Sequence, residues 1–368
     1  LTAEVWAAVV AASLAASGLL LAYAHAKTRG VIRTMPAEFE DRALALFALG
    51  RRSAYVPILG AVGVLIAWKS GEAVAPHAVR TWEFAVFWTT FVVLTAANAW
   101  IVSEAQVAIR PPQWSRTAYV AGGMQGAAMM LFPLLLLGWV APLMLTGSRP
   151  VPGEPDPAMP LSYVAGLALG ASLASLWGPL RRPGGEPPPE LMAAFKAAAH
   201  GPVPRVRTID TRASGLTNAY AFRQRGKEEI VISAELLDEV TTAEAASFLL
   251  HELGHHRLGH IRRRTRTLRI GFIVVALLPA VFHATSPFVV AALHLVLLSV
   301  ILPRSWQRQE IEADLYAAAR CGAGTTGDAL RKLHRARFAP LTFGSREKRM
   351  THPGLARRLA ALAAPAAS

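Results

Sequence analysis

The chain has a single cysteine, Cys321, in 368 residues. That excludes an intramolecular disulfide and any metal site built on several thiolates, so a metal here must rest on histidine and carboxylate. Charge is scarce as well: Asp, Glu, Lys and Arg make up 17% of the residues against 53% hydrophobic ones, too few for the surface of an ordinary soluble enzyme. Acid is the scarcer sign, 24 residues against 38 basic ones, for a net charge of +14. No basic stretch precedes the first apolar run, which begins at Glu4 and outlasts a typical signal core. It therefore reads as an uncleaved first span rather than a secretory signal. No internal repeat is visible.

What the chain does have is long apolar runs. Crossing a bilayer as a helix takes ~20 mostly apolar residues. Runs near that length lie at 4–25, 53–68, 83–103, 118–146, 160–180, 268–284 and 286–303, which predicts seven spans. The basic residues are distributed as topology requires. Lys27, Arg29, Arg33, Arg42, Arg51 and Arg52 follow the first run, whereas Lys69 and Arg80 alone follow the second and Arg149 alone the fourth. The stretches 181–269 and 304–358 are again rich in arginine. The expected arrangement has the amino terminus outside and both polar stretches in the cytosol. The positive charge is thus assigned to the membrane surface and not to nucleic acid. The alanine- and arginine-rich composition points to a GC-rich bacterial genome, hence to a bacterial plasma membrane. Four segments follow: a five-span bundle over 1–180, a cytosolic segment over 181–267, a transmembrane hairpin over 268–303 turning near "HATSP", and a cytosolic segment over 304–368. Two Pro/Gly-rich loops, "GSRPVPGEPDPAMP" and "RRPGGEPPPE", punctuate the chain.

In the first polar segment "ELMAAFKAAAH" predicts a helix, and "VPRVRTID", "NAYAF" and "EEIVIS" predict short strands by their alternation and β-branched content. "AELLDEV" predicts a short helix. "TTAEAASFLLHELGHHRLGHIRRR" predicts one long helix, opened by a capping box of Thr241 and Glu244. Within it lies "HELGHHRLGH". Residues four apart on a helix project ~40° from each other, so His251 and His255 can bind one ion. Glu252, one residue along, is placed to reach water at that ion instead of the ion itself. A catalytic zinc wants three protein ligands and an open position. His256 points ~100° from His255, and His260 lies ~180° round the helix from His251. Both are therefore expected as surface or interfacial residues beside the basic "RRRTR" cluster. Candidates for the third ligand come from "RQEIEADLYAAA": Glu310 and Asp314 share one alanine-lined face, while Glu312 points ~200° away from Glu310 as part of a solvated edge. Either acid of the pair suits the ion, the other then accepting a hydrogen bond from a ligand histidine.

"HELGH", an apolar hairpin, and then Glu310, Ala313, Asp314 and Ala317 in an E-x-x-A-D-x-x-A pattern resemble the integral-membrane gluzincins, the family of the CAAX prenyl proteases and the HtpX-type proteases. "NAYA" (Asn218 to Ala221) followed by "IVISAELL" resembles the edge strand and helix ahead of the family's zinc helix. "THPGLARRL" resembles its carboxyl-terminal H-P-x-x-x-x-R element at His352 and Arg358. The resemblance covers roughly 190–362. It implies a mainly α, multi-span membrane protein with a small α+β zinc protease domain on the cytosolic side. It also implies one zinc per chain on His251, His255 and Glu310, with Asp314 and Arg358 behind the ligands. Glu252 and His352 are the implied catalytic groups, and Asn218, Ala219 and Tyr220 meet a peptide or protein substrate delivered at the bilayer. Three rivals differ in what they require. A membrane sensor using the zinc domain as a relay would lack the H-P-x-x-x-x-R element and would carry an outer ligand domain. A site-2-type intramembrane protease would place the histidines inside a span. A non-catalytic scaffold would make the spacing of the site residues a coincidence.

Overall fold

A computed structural model describes residues 2–109, 114–121, 124, 184–213, 217–224, 226–281 and 302–364. It is mainly helical with one small sheet and divides into two compact units, Leu1–Met124 and Gln125–Ser368.

The first unit contains helices α1 (Ala3–Arg33), α2 (Phe39–Ser53), α3 (Tyr55–Lys69) and α4 (Pro76–Val107). Thr2 caps α1 by accepting the Val5 N–H at 3.4 Å. Proline at its first position suits the start of α4. Small residues lie at helix contacts inside this unit, beside buried Leu46, Leu49, Val64, Leu65 and Leu94. Ser17 of α1 donates to the backbone oxygens of Ser13 and, across to α3, Gly60, and any side chain at Gly60 would run into Leu94 and Ser17. Large apolar side chains face outward instead, Leu19 being 72% exposed and Ile66 66%. Small residues at helix contacts together with large apolar side chains on the outside suit packing in lipid. Among the described residues Ala3–Arg33 and Phe39–Ala73 are long and apolar enough to cross a membrane. The predicted runs 4–25 and 83–103 fall in α1 and α4, and 53–68 covers the last residue of α2 and most of α3. The predicted span 160–180, the boundary at 180, the "HATSP" turn and nearly all of 118–146 and 286–303 lie outside the described residues.

The second unit opens with α5 (Pro189–Ala199), which ends where His200 takes the left-handed conformation at φ +49°. Strands β1 (Arg205–Ile209), β2 (Ala219–Gln224) and β3 (Lys227–Ser233) form a sheet in the order β1-β3-β2. β3 runs parallel to β1 and antiparallel to β2, with Tyr220 opposite Val231. Ser233 ends β3 and caps α6 (Ala234–Glu239) through its hydroxyl. Then come α7 (Thr242–Arg257), α8 (His260–Val281), α9 (Leu302–Cys321), α10 (Ala323–Ala336) and α11 (Leu355–Ala363). Phe195 from α5, Ile230 and Ile232 from β3, and Leu249, Leu250 and Leu253 from α7 are at most 1% exposed. Each such burial is worth about 1.5–3 kcal/mol, which fixes α7 between the sheet and the other helices. The capping box at Thr241 and Glu244 is present, and Lys332 of α10 reaches Glu244 at 2.7 Å.

The long helix expected through "HELGHHRLGHIRRR" is in fact two. Leu258 closes α7, with its N–H on Gly254, and Gly259 takes φ +70°, a left-handed turn that suits glycine alone among common residues. α8 then restarts at His260 in a new direction. Helical projection does not carry across this break, and that changes where His260 points.

Candidate functional site

α7 and α9 approach closely because small residues line their contact. A side chain at Gly254 would press on Tyr316 at 3.2 Å, while Ala313 and Ala317 are fully buried. The alanines on the Glu310 and Asp314 face are there to let the helices meet. This brings the imidazoles of α7 against the carboxylates of α9. His251 Nε2 and His255 Nε2 lie 3.2 Å apart. Glu310 Oε2 is 3.5 Å from His251 Nε2, and its Oε1 is 3.4 Å from His255 Nε2. One donor atom from each of the three residues falls within 4.8 Å of the others, and all three residues are buried. Two neutral imidazole nitrogens and a carboxylate turned toward one point are the donor set of a catalytic zinc, so the residues fit that ion.

The surroundings of the three are specific. Asp314 Oδ1 lies 2.8 Å from His251 Nδ1, in a contact bent away from the line of an ideal hydrogen bond. Its two oxygens also accept from Arg358, Nε at 2.7 Å and Nη2 at 2.6 Å. His352 Nδ1 and Arg264 Nη2 reach Glu310 at 2.9 and 2.8 Å. Glu252 accepts from the backbone of Ala221 on β2. Burial raises the Glu252 carboxyl to about 7 against the opposing charge of His251, and a divalent cation beside it would draw it down again. Burial alone would lower His251, but Asp314 and Glu310 outweigh it and raise the imidazole to about 10; a metal must displace that proton. Burial, joined by the charge of His251, pushes His255 well below its ordinary value. Burial would raise Glu310, yet the His352 and His251 charges hold it well down.

A cavity of about 190 Å³ opens over this cluster, bounded by Asn218, Ala219 and Tyr220 on one side and His352 and Arg358 on another. Among the described strands β2 pairs with β3 alone and forms an edge of the sheet, the position at which an extended chain can add. Nine of the ten candidate site residues line this cavity, and Asp314 lies behind it against His251. Two further charged residues line it, Arg264 and Arg337, and neither was singled out. Arg264 sits in a run of arginines that reads as a membrane anchor, and Arg337 follows α10 with no spacing signal.

His256 and His260, expected as surface or interfacial residues, are instead packed inside the domain. The His256 side chain is 2% exposed and its Nε2 faces the backbone oxygen of Glu229 at 3.3 Å. His260 is fully buried, because the turn at Gly259 folds it back beneath α7. Its Nδ1 lies 3.0 Å from His255 Nδ1 and its Nε2 2.9 Å from Glu312 Oε2. Glu312, expected on a solvated edge, is half-buried against this pair.

Residues 190–366 match the family model of peptidase family M48. The fold is similar to that of the crystal structure of S. mikatae Ste24p, with a TM-score of 0.59 over 97% of this chain and 98% of that one, at 16% sequence identity. No curated protein matches the chain.

Proposed function

We propose that the chain, whose residues 190–366 match the model of peptidase family M48, is a zinc-dependent endopeptidase acting on peptides or proteins at the cytosolic face of a membrane. The observation that carries this reading is the convergence of His251, His255 and Glu310 beneath the edge strand β2. These three would hold one zinc, which when bound supplies the Lewis acidity that makes water nucleophilic near neutral pH. The substrate lies extended along β2, its backbone meeting Asn218, Ala219 and Tyr220. Glu252 takes the proton from water as the water oxygen bonds to the peptide carbonyl carbon. The same carboxyl returns the proton to the nitrogen as the C–N bond breaks, leaving a free acid and a free amine. His352, half-exposed on the far side of Glu310, is placed to donate to the carbonyl oxygen as it gains charge. Asp314 and Arg358 hold His251 from behind.

The purified chain is expected to contain about one zinc by elemental analysis, as a three-ligand site implies, and to cleave peptides in a chelator-sensitive way. Glu310→Ala should lose most of the metal. A native chain without zinc, or a Glu310→Ala chain with a full complement, contradicts the reading.

The membrane placement rests on the seven apolar runs and the arginine bias, with the apolar exterior of α1 in support. With Cys321 replaced by alanine, cysteines introduced in 150–157 should react with an impermeant reagent in intact cells. Cysteines in 183–188 should react only after lysis. Labelling of both from outside refutes the orientation.

A further inference from the structure

His255 has no carboxylate of its own. His251 is backed directly by Asp314, whereas behind His255 stands another imidazole, His260, and behind that Glu312. We propose that His260, anchored by Glu312, is a positioning residue that fixes the tautomer and orientation of His255 for the metal. This rests on the zinc reading above.

The network assigns the protons. A contact of 3.0 Å between His255 Nδ1 and His260 Nδ1 needs one proton between them, donated by one ring and accepted by the other. His260 Nε2 faces a carboxylate oxygen at 2.9 Å and must carry a proton to make that contact. A neutral His260 then has a bare Nδ1, so the shared proton belongs to His255 Nδ1. That leaves the lone pair of His255 on Nε2, the atom turned toward His251 Nε2 and Glu310. The opposite assignment, with the proton on His260 Nδ1, would put the His255 proton on Nε2 and block the ligand position. Ligand histidines ordinarily give their second N–H to a carboxylate or carbonyl, which raises their basicity and holds the ring. Here the carboxylate acts one imidazole further away. His260 is fully buried, so water does not compete for the Nδ1 contact. Glu312 is steadied in turn by Arg308, whose Nε reaches Oε1 at 3.0 Å from an exposed side chain. The break at Gly259 is what makes the chain of contacts possible, because a continuous helix would carry position 260 away from His255.

The test is zinc affinity, measured by chelator competition on the full chain, with circular dichroism of the metal-free protein as the control for folding. His260→Phe keeps a planar ring but no acceptor, and should weaken zinc binding ~10–100-fold. His260→Gln retains an oxygen to accept from His255 and an amide to donate to Glu312, and should restore most of that loss, which a purely space-filling role would not predict. Glu312→Ala should give a smaller loss on the native background and no additional loss in the His260→Phe background, since it acts only through the ring. The proposal is overturned if folded His260→Phe binds zinc within about twofold of the native chain, or if Glu312→Ala exerts its full effect without His260. Should His260→Phe fail to fold, the half-exposed Glu312→Ala decides: unchanged affinity overturns the proposal. A native chain that binds no zinc fails the reading beneath it, and a native chain with zinc but an indifferent His260 fails this inference alone.

Discussion

Glu252→Gln is expected to keep its zinc, keep its fold and lose peptide cleavage by more than the ~10²–10⁴ of a typical general base. The reason is geometric. Glu252 is one residue along α7 from His251, and none of the three donor atoms grouped around the metal position is its own. Its carboxylate is instead held by the Ala221 backbone, so it stands between the cluster and the strand on which the substrate would lie. Glutamine retains the volume and one acceptor for that N–H, so neither assembly nor packing should suffer. What it cannot do is take a proton from water and give it to the leaving amine. It also loses the negative charge that orients the water, and the loss should therefore exceed that of base removal alone. Cleavage is to be measured at saturating zinc, with metal content determined on the same samples. A zinc-loaded Glu252→Gln chain that cleaves almost as fast as the native one rules out the hydrolytic mechanism and favours a sensor that uses the domain as a relay.

The metal cluster was legible because its information is local. His251 and His255 are one helical turn apart, Glu310 and Asp314 likewise, and each pair can be read on its own helix without knowing how the helices cross. The strands were legible for the same reason, and so was the cap at Thr241, where side chain and backbone lie three residues apart. His260 was misread because the reading assumed one helix where there are two. A glycine inside a helical pattern is usually tolerated, and nothing in "HHRLGHIRRR" distinguishes such a glycine from Gly259, which breaks the helix. Once the helix is broken, Glu312 also acquires a partner 52 positions away, and its place on the wrong side of α9 from Glu310 becomes the right side for His260. Arg264 was hidden differently. Its hydrogen bonds to Gln309 and Glu310 depend on how α8 and α9 lie against each other, while it sits among Arg262, Arg263 and Arg266, which a membrane surface would equally explain.

Arg358→Ala should cost the folded chain ~3–5 kcal/mol, the range for leaving one member of a buried ion pair without its partner. Asp314 has no exposed side-chain surface and Arg358 only 13%. The guanidinium meets both carboxylate oxygens at once, a fork that alanine removes and lysine only partly replaces. Burial would raise the Asp314 carboxyl, but the charge and hydrogen bonds of Arg358 hold it below its ordinary value. Without Arg358 the carboxylate is left with the bent contact to His251 alone, and its ionised form is no longer favoured in that position. The stability should be measured on metal-free protein, since bound zinc would itself stabilise the folded state and mask part of the loss. Arg358→Lys should fall between the native chain and Arg358→Ala. Asp314→Asn keeps the shape and should act mainly on the metal, lowering affinity ~10–100-fold through weakened support of His251. If Arg358→Ala shifts the unfolding free energy by less than about 1 kcal/mol, the value of an exposed pair, then the pair is not buried as described and Arg358 has no part in holding His251. If instead it lowers stability as expected while His251 still binds metal at native affinity, Arg358 belongs to the fold, and only Asp314 to the site.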